Sequence, residues 1–248
     1  MLGVSTNIQD YLLNRQILEK NLPRYRSLCA NCAQPDFGCY CSMVKKFDCG
    51  INFVLLIHPI EVKRRIATGR MSHLCLENSF LIKGQNYTDN NLVNERLADT
   101  SCHSVILYPG IQSENISKLT NLERADLFPK NKKLQIFVID GTWATARKMV
   151  RQSLNLINLP RISFTPEKPS NFRVRKQPSN VCYSTIEAIH HTIELLGDSQ
   201  GFTTSNRAHD GLISVFNFMV ENQLEFIKKS NLNPRESAYR REGQRKIA

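Results

Sequence analysis

Leu134 to Ile139 is an unbroken apolar run, β-branched and aromatic, and it stops at Asp140-Gly141-Thr142-Trp143. From Ala144 to Leu156 the apolar residues recur at helical spacing instead, so a buried strand ends where a helix begins. In α/β sheets, ligands gather at the carboxyl ends of strands, where helix amino termini aim bare N–H groups at them. Asp140 stands at that junction and is placed for chemistry. A plainer account of the same residues has Asp140 or Thr142 capping the helix and Trp143, the only tryptophan, filling a gap in the core.

The chain has 248 residues, enough for one main domain with an appendage, the preferred reading, or for two small domains. Its 33 basic side chains exceed its 22 acidic ones and leave a net charge of +11. The excess is clustered at Lys63-Arg64-Arg65, Arg147-Lys148 with Arg151, Arg173-x-Arg175-Lys176, and Arg240-Arg241 with Arg245-Lys246. Such a distribution suits a polyanion, most simply nucleic acid, although any single cluster also reads as a solvated helix face. No apolar run reaches the ~18 residues of a membrane span. The amino-terminal segment carries Asp10 and Glu19 and lacks the apolar centre of a signal peptide. The expectation is a cytoplasmic protein without a membrane partner.

In a reducing compartment eight cysteines are not a disulfide framework. Four of them form Cys29-x-x-Cys32 and Cys39-x-Cys41, with Pro35 and Gly38 letting the chain reverse between the pairs. Two close pairs joined by a short turn can supply the tetrahedral thiolate set of a structural zinc; free thiols or an iron–sulfur centre are the alternatives. Cys49 is near enough to substitute, while Cys75, Cys102 and Cys182 read as ordinary buried residues.

Residues 6 to 22 read as a short amphipathic helix. Strands are expected at Asn52 to Ile57, Ser79 to Lys83, Ser104 to Leu107 and Arg161 to Phe164. Helices are expected from Glu61 to Ala67, ending near Thr68-Gly69, from about Thr88 to Ala98, from Ser184-Thr185-x-Glu187-Ala188 to Leu196, and over about Arg207 to Lys228. His58, Glu61, Arg65 and Thr68 follow a strand end and form a possible substrate constellation. Tyr108-Pro109-Gly110 must leave the sheet sharply, and Thr165 to Pro178 is a basic, proline-rich loop suited to an anion. Ser184 and Glu187 also fit plain amino-terminal capping. There is no G-x-G-x-x-G after a strand and no G-x-x-x-x-G-K-[ST], which argues against ordinary NAD enzymes and P-loop NTPases. His190 and His191 fall within a helix without an H-E-x-x-H pattern.

Asp140-x-Thr142-Trp143 resembles the D-x-T-W signature of the DTW-domain family of tRNA-uridine aminocarboxypropyltransferases. Six further matches stand in order along the chain: the Cys29/Cys32/Cys39/Cys41 knuckle; His58-Pro59-x-Glu61 with Arg65 and Thr68-Gly69-Arg70; Leu107-Tyr108-Pro109-Gly110; Arg147-Lys148-Met149; Phe172-Arg173-x-Arg175-Lys176; and Ser184-Thr185-x-Glu187-Ala188. Phe172 departs from a more usual tyrosine and Thr145 from a frequent glutamine.

The resemblance implies transfer of the 3-amino-3-carboxypropyl group of S-adenosylmethionine to N3 of a tRNA uridine, with release of methylthioadenosine. It also implies an α/β fold, a SPOUT-like knotted sheet flanked by helices, with an amino-terminal four-cysteine zinc knuckle. The corresponding division is 1–50 for helix and knuckle, 51–232 for the catalytic domain and 233–248 for a basic tail. Asp140 becomes the candidate base. Leu107, Tyr108, Pro109, Gly110, Gly141, Thr142, Trp143, Arg173, Arg175, Ser184, Thr185 and Glu187 become candidate cofactor contacts. His58, Glu61, Arg65, Thr68, Arg147, Lys148, Phe172 and Lys176 become candidate tRNA contacts. A methyltransferase of the same broad fold and a non-catalytic zinc-containing RNA-binding module are the rival readings.

Overall fold

The structure is a computed structural model that describes residues 27–175, 179 and 181–232, with the side chains of 230–232 left aside. The expected helix over 6–22, Lys176 and the basic tail lie outside the described residues.

In chain order the elements are β1 (Asn52–Ile57), α1 (Pro59–Val62), α2 (Thr68–Cys75), β2 (Ser79–Lys83), α3 (Asn91–Ala98), β3 (Cys102–Leu107), β4 (Ser113–Asn115), α4 (Asn121–Asp126), β5 (Lys133–Asp140), α5 (Trp143–Gln152), α6 (Leu154–Ile157), β6 (Arg161–Ser163), α7 (Thr185–Leu196) and α8 (Asp210–Leu232). The six strands make one sheet in the order β2-β1-β5-β3-β6-β4, and every pairing is parallel. A parallel sheet is covered on both faces, so its strands are apolar on both.

Alternation at period two sorts the side chains between the layers. Phe53, Leu55, Ile136 and Val138 join a core with Met71 of α2, Ile189 and Ile193 of α7, and Leu212, Phe216 and Met219 of α8. Val54, Leu56 and Phe137 join another with Val93 of α3, Met149 and Val150 of α5, and Leu156 of α6. Asp140 shares the parity of Ile136 and Val138 and so meets the α2 and α7 side. Cys32, Tyr40 and Cys49 belong to that same core, so the cysteine-bearing segment is packed onto the sheet layer. Among the described residues no helix is long and apolar enough to cross a membrane.

Three expectations are corrected. The helix placed over Glu61 to Ala67 is only the single turn α1, and Thr68-Gly69, read as its stop, is the start of α2. The reason is tertiary: a Cβ built on Gly69 would lie 2.7 Å from Cγ of Asp140, so this backbone approaches β5 too closely for any side chain. The helix placed over Ala144 to Leu156 breaks at Ser153. That buried hydroxyl donates to the carbonyl of Met149 at 2.7 Å and accepts from the N–H of Tyr87 at 3.0 Å. Finally, α8 starts at Asp210 rather than Arg207, whose φ of 55° is left-handed and outside a helix.

Candidate active site

The ladder brings the carboxyl ends of the central strands to one edge: Ile57 pairs with Asp140, and Leu107 pairs with Val138 and Ile162. Beyond that edge lies a cavity of about 670 Å³, within the range of small-molecule sites.

Asp140 ends β5 on the cavity wall and is only 3 % exposed. Its Oδ1 accepts from the Thr185 hydroxyl at 2.6 Å, its Oδ2 from the Gly69 N–H at 3.2 Å, and its main-chain oxygen from the His58 N–H at 2.9 Å. Burial pushes its carboxyl up to about 6; Glu61 adds to the rise, while Thr185, Arg175 and Gly69 oppose it. The result is a carboxyl group that holds or yields a proton near neutrality.

Thr142 is the residue that caps α5, its Oγ1 accepting from the Thr145 N–H at 3.1 Å. The capping account therefore describes Thr142 but not Asp140, whose side chain reaches other elements. Trp143, 39 % exposed, lines the cavity and does not fill the core.

Of the sequence-predicted residues, Thr68, Leu107, Tyr108, Pro109, Asp140, Gly141, Thr142, Trp143, Phe172, Arg175, Ser184 and Thr185 converge on the cavity. Glu61 stands behind it: its buried carboxylate accepts from both terminal nitrogens of Arg175, at 2.9 and 3.3 Å, and pairs with Arg64 at 3.2 Å. That bidentate clamp aims Arg175 and ties the loop after β6 to α1.

The other candidates lie off the cavity wall. Glu187 closes the Ser184 capping box of α7 and accepts from the Ser170 hydroxyl and the Asn171 N–H. His58 caps α1 by accepting from the Ile60 N–H. Arg173 is ion-paired with Glu221 of α8. Gly110 turns through its hydrogen bonds with Ser113, and Arg65, Arg147 and Lys148 are exposed.

Sequence reasoning missed Ser163, Phe164, Val181, Cys182 and Tyr183, which also line the cavity. Cys182 is therefore not the ordinary buried cysteine expected; it is half-buried. Phe164 and Tyr183 lie 5.6 Å apart, centroid to centroid, and both meet His191 edge-on. The available signal was an aromatic residue at each end of the basic loop.

In the knuckle the Sγ atoms of Cys29 and Cys41 are 3.7 Å apart, and those of Cys32 and Cys39 3.6 Å. All four lie within 4.8 Å of one another. A tetrahedron with metal–sulfur bonds of ~2.3 Å has edges of ~3.8 Å, so the four thiols fit one metal ion.

Comparison with known proteins finds the DTW domain over residues 26–224. A Drosophila melanogaster protein, tRNA-uridine aminocarboxypropyltransferase 2, is 26 % identical over 180 residues, 70 % of this chain and 68 % of its own length. The Mus musculus protein of the same name is 24 % identical over 176 residues, 69 % of this chain, and the match spans only 57 % of the mouse protein. An Arabidopsis thaliana protein, tRNA-uridine aminocarboxypropyltransferase A, is 21 % identical over 238 residues, 88 % of either chain. No solved structure matches. Because the DTW match runs from the cysteine knuckle through β5 and α7 into α8, the chain belongs to the DTW-domain family.

Proposed function

We propose that this chain transfers the 3-amino-3-carboxypropyl group of S-adenosylmethionine to N3 of a uridine in tRNA. The observation that carries the reading is the buried carboxyl of Asp140, raised to about 6 at the edge of a roomy, aromatic-lined cavity. The activity in the relatives' names agrees with it.

The residues present fit the donor. Tyr108, Phe164 and Tyr183 offer aromatic surface to a purine, and Arg175 offers a cation to an amino-acid carboxylate. When bound, S-adenosylmethionine supplies an electrophilic Cγ beside a sulfonium. The N3–H of uridine is a weak acid, and a carboxylate with a pKa of about 6 matches it better than an unperturbed one near ~3.9. Asp140 would accept the proton that uridine N3 gives up toward that electrophile and would then pass it to water, with methylthioadenosine as the leaving product. Gly69 and Thr185 hold the carboxylate in one orientation throughout. Trp143 stacks on the incoming base, while exposed Arg65, Arg147 and Lys148, together with Lys176, bind phosphates.

The knuckle holds zinc as a closed structural site, since four thiolates leave no open position. Residues 51–232 form the catalytic unit, 1–50 the unit of amino-terminal helix and knuckle, and the basic residues of 233–248 serve tRNA. The sheet is SPOUT-like and knotted; support comes from the insertion of β5 between β1 and β3 and from the return of the chain after β6 to set Thr185 against Asp140. Experimental tracing of residues 165–185 tests the knot. Eight free cysteines support a reducing, cytoplasmic compartment.

The activity is tested by mass spectrometry of both products after incubation with S-adenosylmethionine and unmodified bulk tRNA. Methylthioadenosine with an aminocarboxypropylated uridine is expected. S-adenosylhomocysteine with a methylated nucleoside, or tRNA binding without product, overturns the reading.

A further inference from the structure

A second cluster of ligand-type side chains sits away from the cavity, between α7 and the start of α8. His190 and Glu194 are one helical turn apart on α7, and His209 and Asp210 lead into α8. One ligand atom from each of the four falls within 4.8 Å of all the others. His190 Nε2 is 2.9 Å from Asp210 Oδ1 and 3.8 Å from Glu194 Oε1, and His209 Nε2 is 2.9 Å from Glu194 Oε1 and 4.0 Å from Asp210 Oδ1. A tetrahedral ion with bonds of ~2.0–2.1 Å to imidazole and carboxylate has edges of ~3.3–3.4 Å, inside the span of these distances.

His209 supplies the independent observation. It is fully buried, and neither ring nitrogen has a hydrogen-bond partner among the described residues. Nε2 stands 2.9 Å from Glu194 Oε1 without the alignment of a hydrogen bond, and Nδ1 has no polar partner among the described residues. A buried polar atom in that state is costly unless something absent from the protein itself satisfies it.

We propose that His190, Glu194, His209 and Asp210 form a binding site for a divalent first-row transition metal, zinc above all. Two imidazoles and two carboxylates suit such an ion better than calcium or magnesium, which prefer all-oxygen shells. Arg207 already pairs with Glu194 at 2.6 Å and with Asp210 at 2.7 Å. Each carboxylate oxygen has more than one lone pair, so the guanidinium serves as an outer partner that orients the ligands. With four protein ligands the ion is structural: it pins α7 to the start of α8. Thr185 opens the same helix nine residues before Glu194, ~13 Å along its axis, so the pin steadies the helix that presents Thr185 to Asp140 without touching the reaction.

The test is metal content per chain, by elemental analysis and native mass spectrometry, on full-length protein dialysed against zinc and then against metal-free buffer. Two zinc ions are expected in the wild type. Cys32→Ser should lose one, His209→Gln and Glu194→Gln should each lose the other, and Arg207→Gln should keep both. Glu194 is part-exposed, so its variant decides the matter if His209→Gln fails to fold, with circular dichroism as the check. A single zinc that disappears in Cys32→Ser overturns the proposal and leaves Arg207 as the only cation of the cluster. A second zinc that survives in Glu194→Gln overturns it equally.

Discussion

Gly69 gives its backbone N–H to Oδ2 of Asp140 at 3.2 Å, across 71 positions of sequence. The absence of a side chain is what allows that approach. In Gly69→Ala the new methyl must displace either α2 or the carboxylate. We expect a stability loss of ~1–3 kcal/mol and a fall in transfer of ~10²-fold, the scale of an ångström-sized misplacement of a reacting group. Single-turnover transfer and urea unfolding on the same preparation check both.

Thr185 acts on the same carboxylate from the other oxygen. Its hydroxyl stabilises the ionised form, so Thr185→Val raises Asp140 further above its already elevated value of about 6. Transfer needs the ionised group, so the acid limb of the pH–rate profile should move to higher pH in Thr185→Val and stay in place in Thr185→Ser. The stability sign is opposite. The folded carboxyl binds its proton more tightly than the unfolded one, near ~3.9, so its contribution is fully present below about pH 4 and is lost as pH rises through the folded value. The stability of the wild type relative to Asp140→Asn should therefore fall between about pH 4 and about pH 7, as read by denaturant unfolding.

Much of this arrangement was legible in the chain because its causes are local. The apolar run before Asp140 and the helical period after Thr142 mark the strand, the junction and the helix without reference to any other element. The cysteine spacing likewise carries its own chemistry. What stayed hidden is tertiary. Thr68-Gly69 looks like a stop because the reason for glycine lies on β5. Ser153 looks like helix interior because the N–H it satisfies belongs to Tyr87, 66 residues earlier. Glu61 and Arg175 gave no sign of their pairing, since 114 positions separate them. Glu187 fits a cap by its spacing from Ser184 alone, and the capping box is the geometry present.

Trp143 is part-exposed at the cavity, so its role separates binding from folding. Trp143→Ala should change unfolding stability by under about 1 kcal/mol. Loss of one base-stacking contact costs ~1–3 kcal/mol, about five- to 150-fold in kcat/KM for tRNA. Steady-state kinetics with varied tRNA, set beside thermal melting, distinguish this from a core role, which would lower Tm instead.

Cys32 is fully buried in the apolar core that also holds Tyr40 and Cys49. Metal at the knuckle therefore stabilises the α2 and α8 layer as well as its own loop. Cys32→Ser, or extraction with a strong chelator, should cost ~2 kcal/mol or more, ~4–8 °C in Tm. Calorimetry with and without added zinc reads the shift, and a Tm indifferent to the metal would leave the knuckle without a structural role.

In the proposed reaction Asp140 accepts the N3 proton of uridine. The most direct measurement is single-turnover transfer by Asp140→Asn at saturating tRNA and S-adenosylmethionine, with the tRNA Kd measured on the same variant. A loss of ~10²-fold or more in the transfer step is expected, with tRNA affinity within about twofold of wild type. Transfer at the wild-type rate, or a loss of tRNA binding as large as the loss of rate, would contradict it.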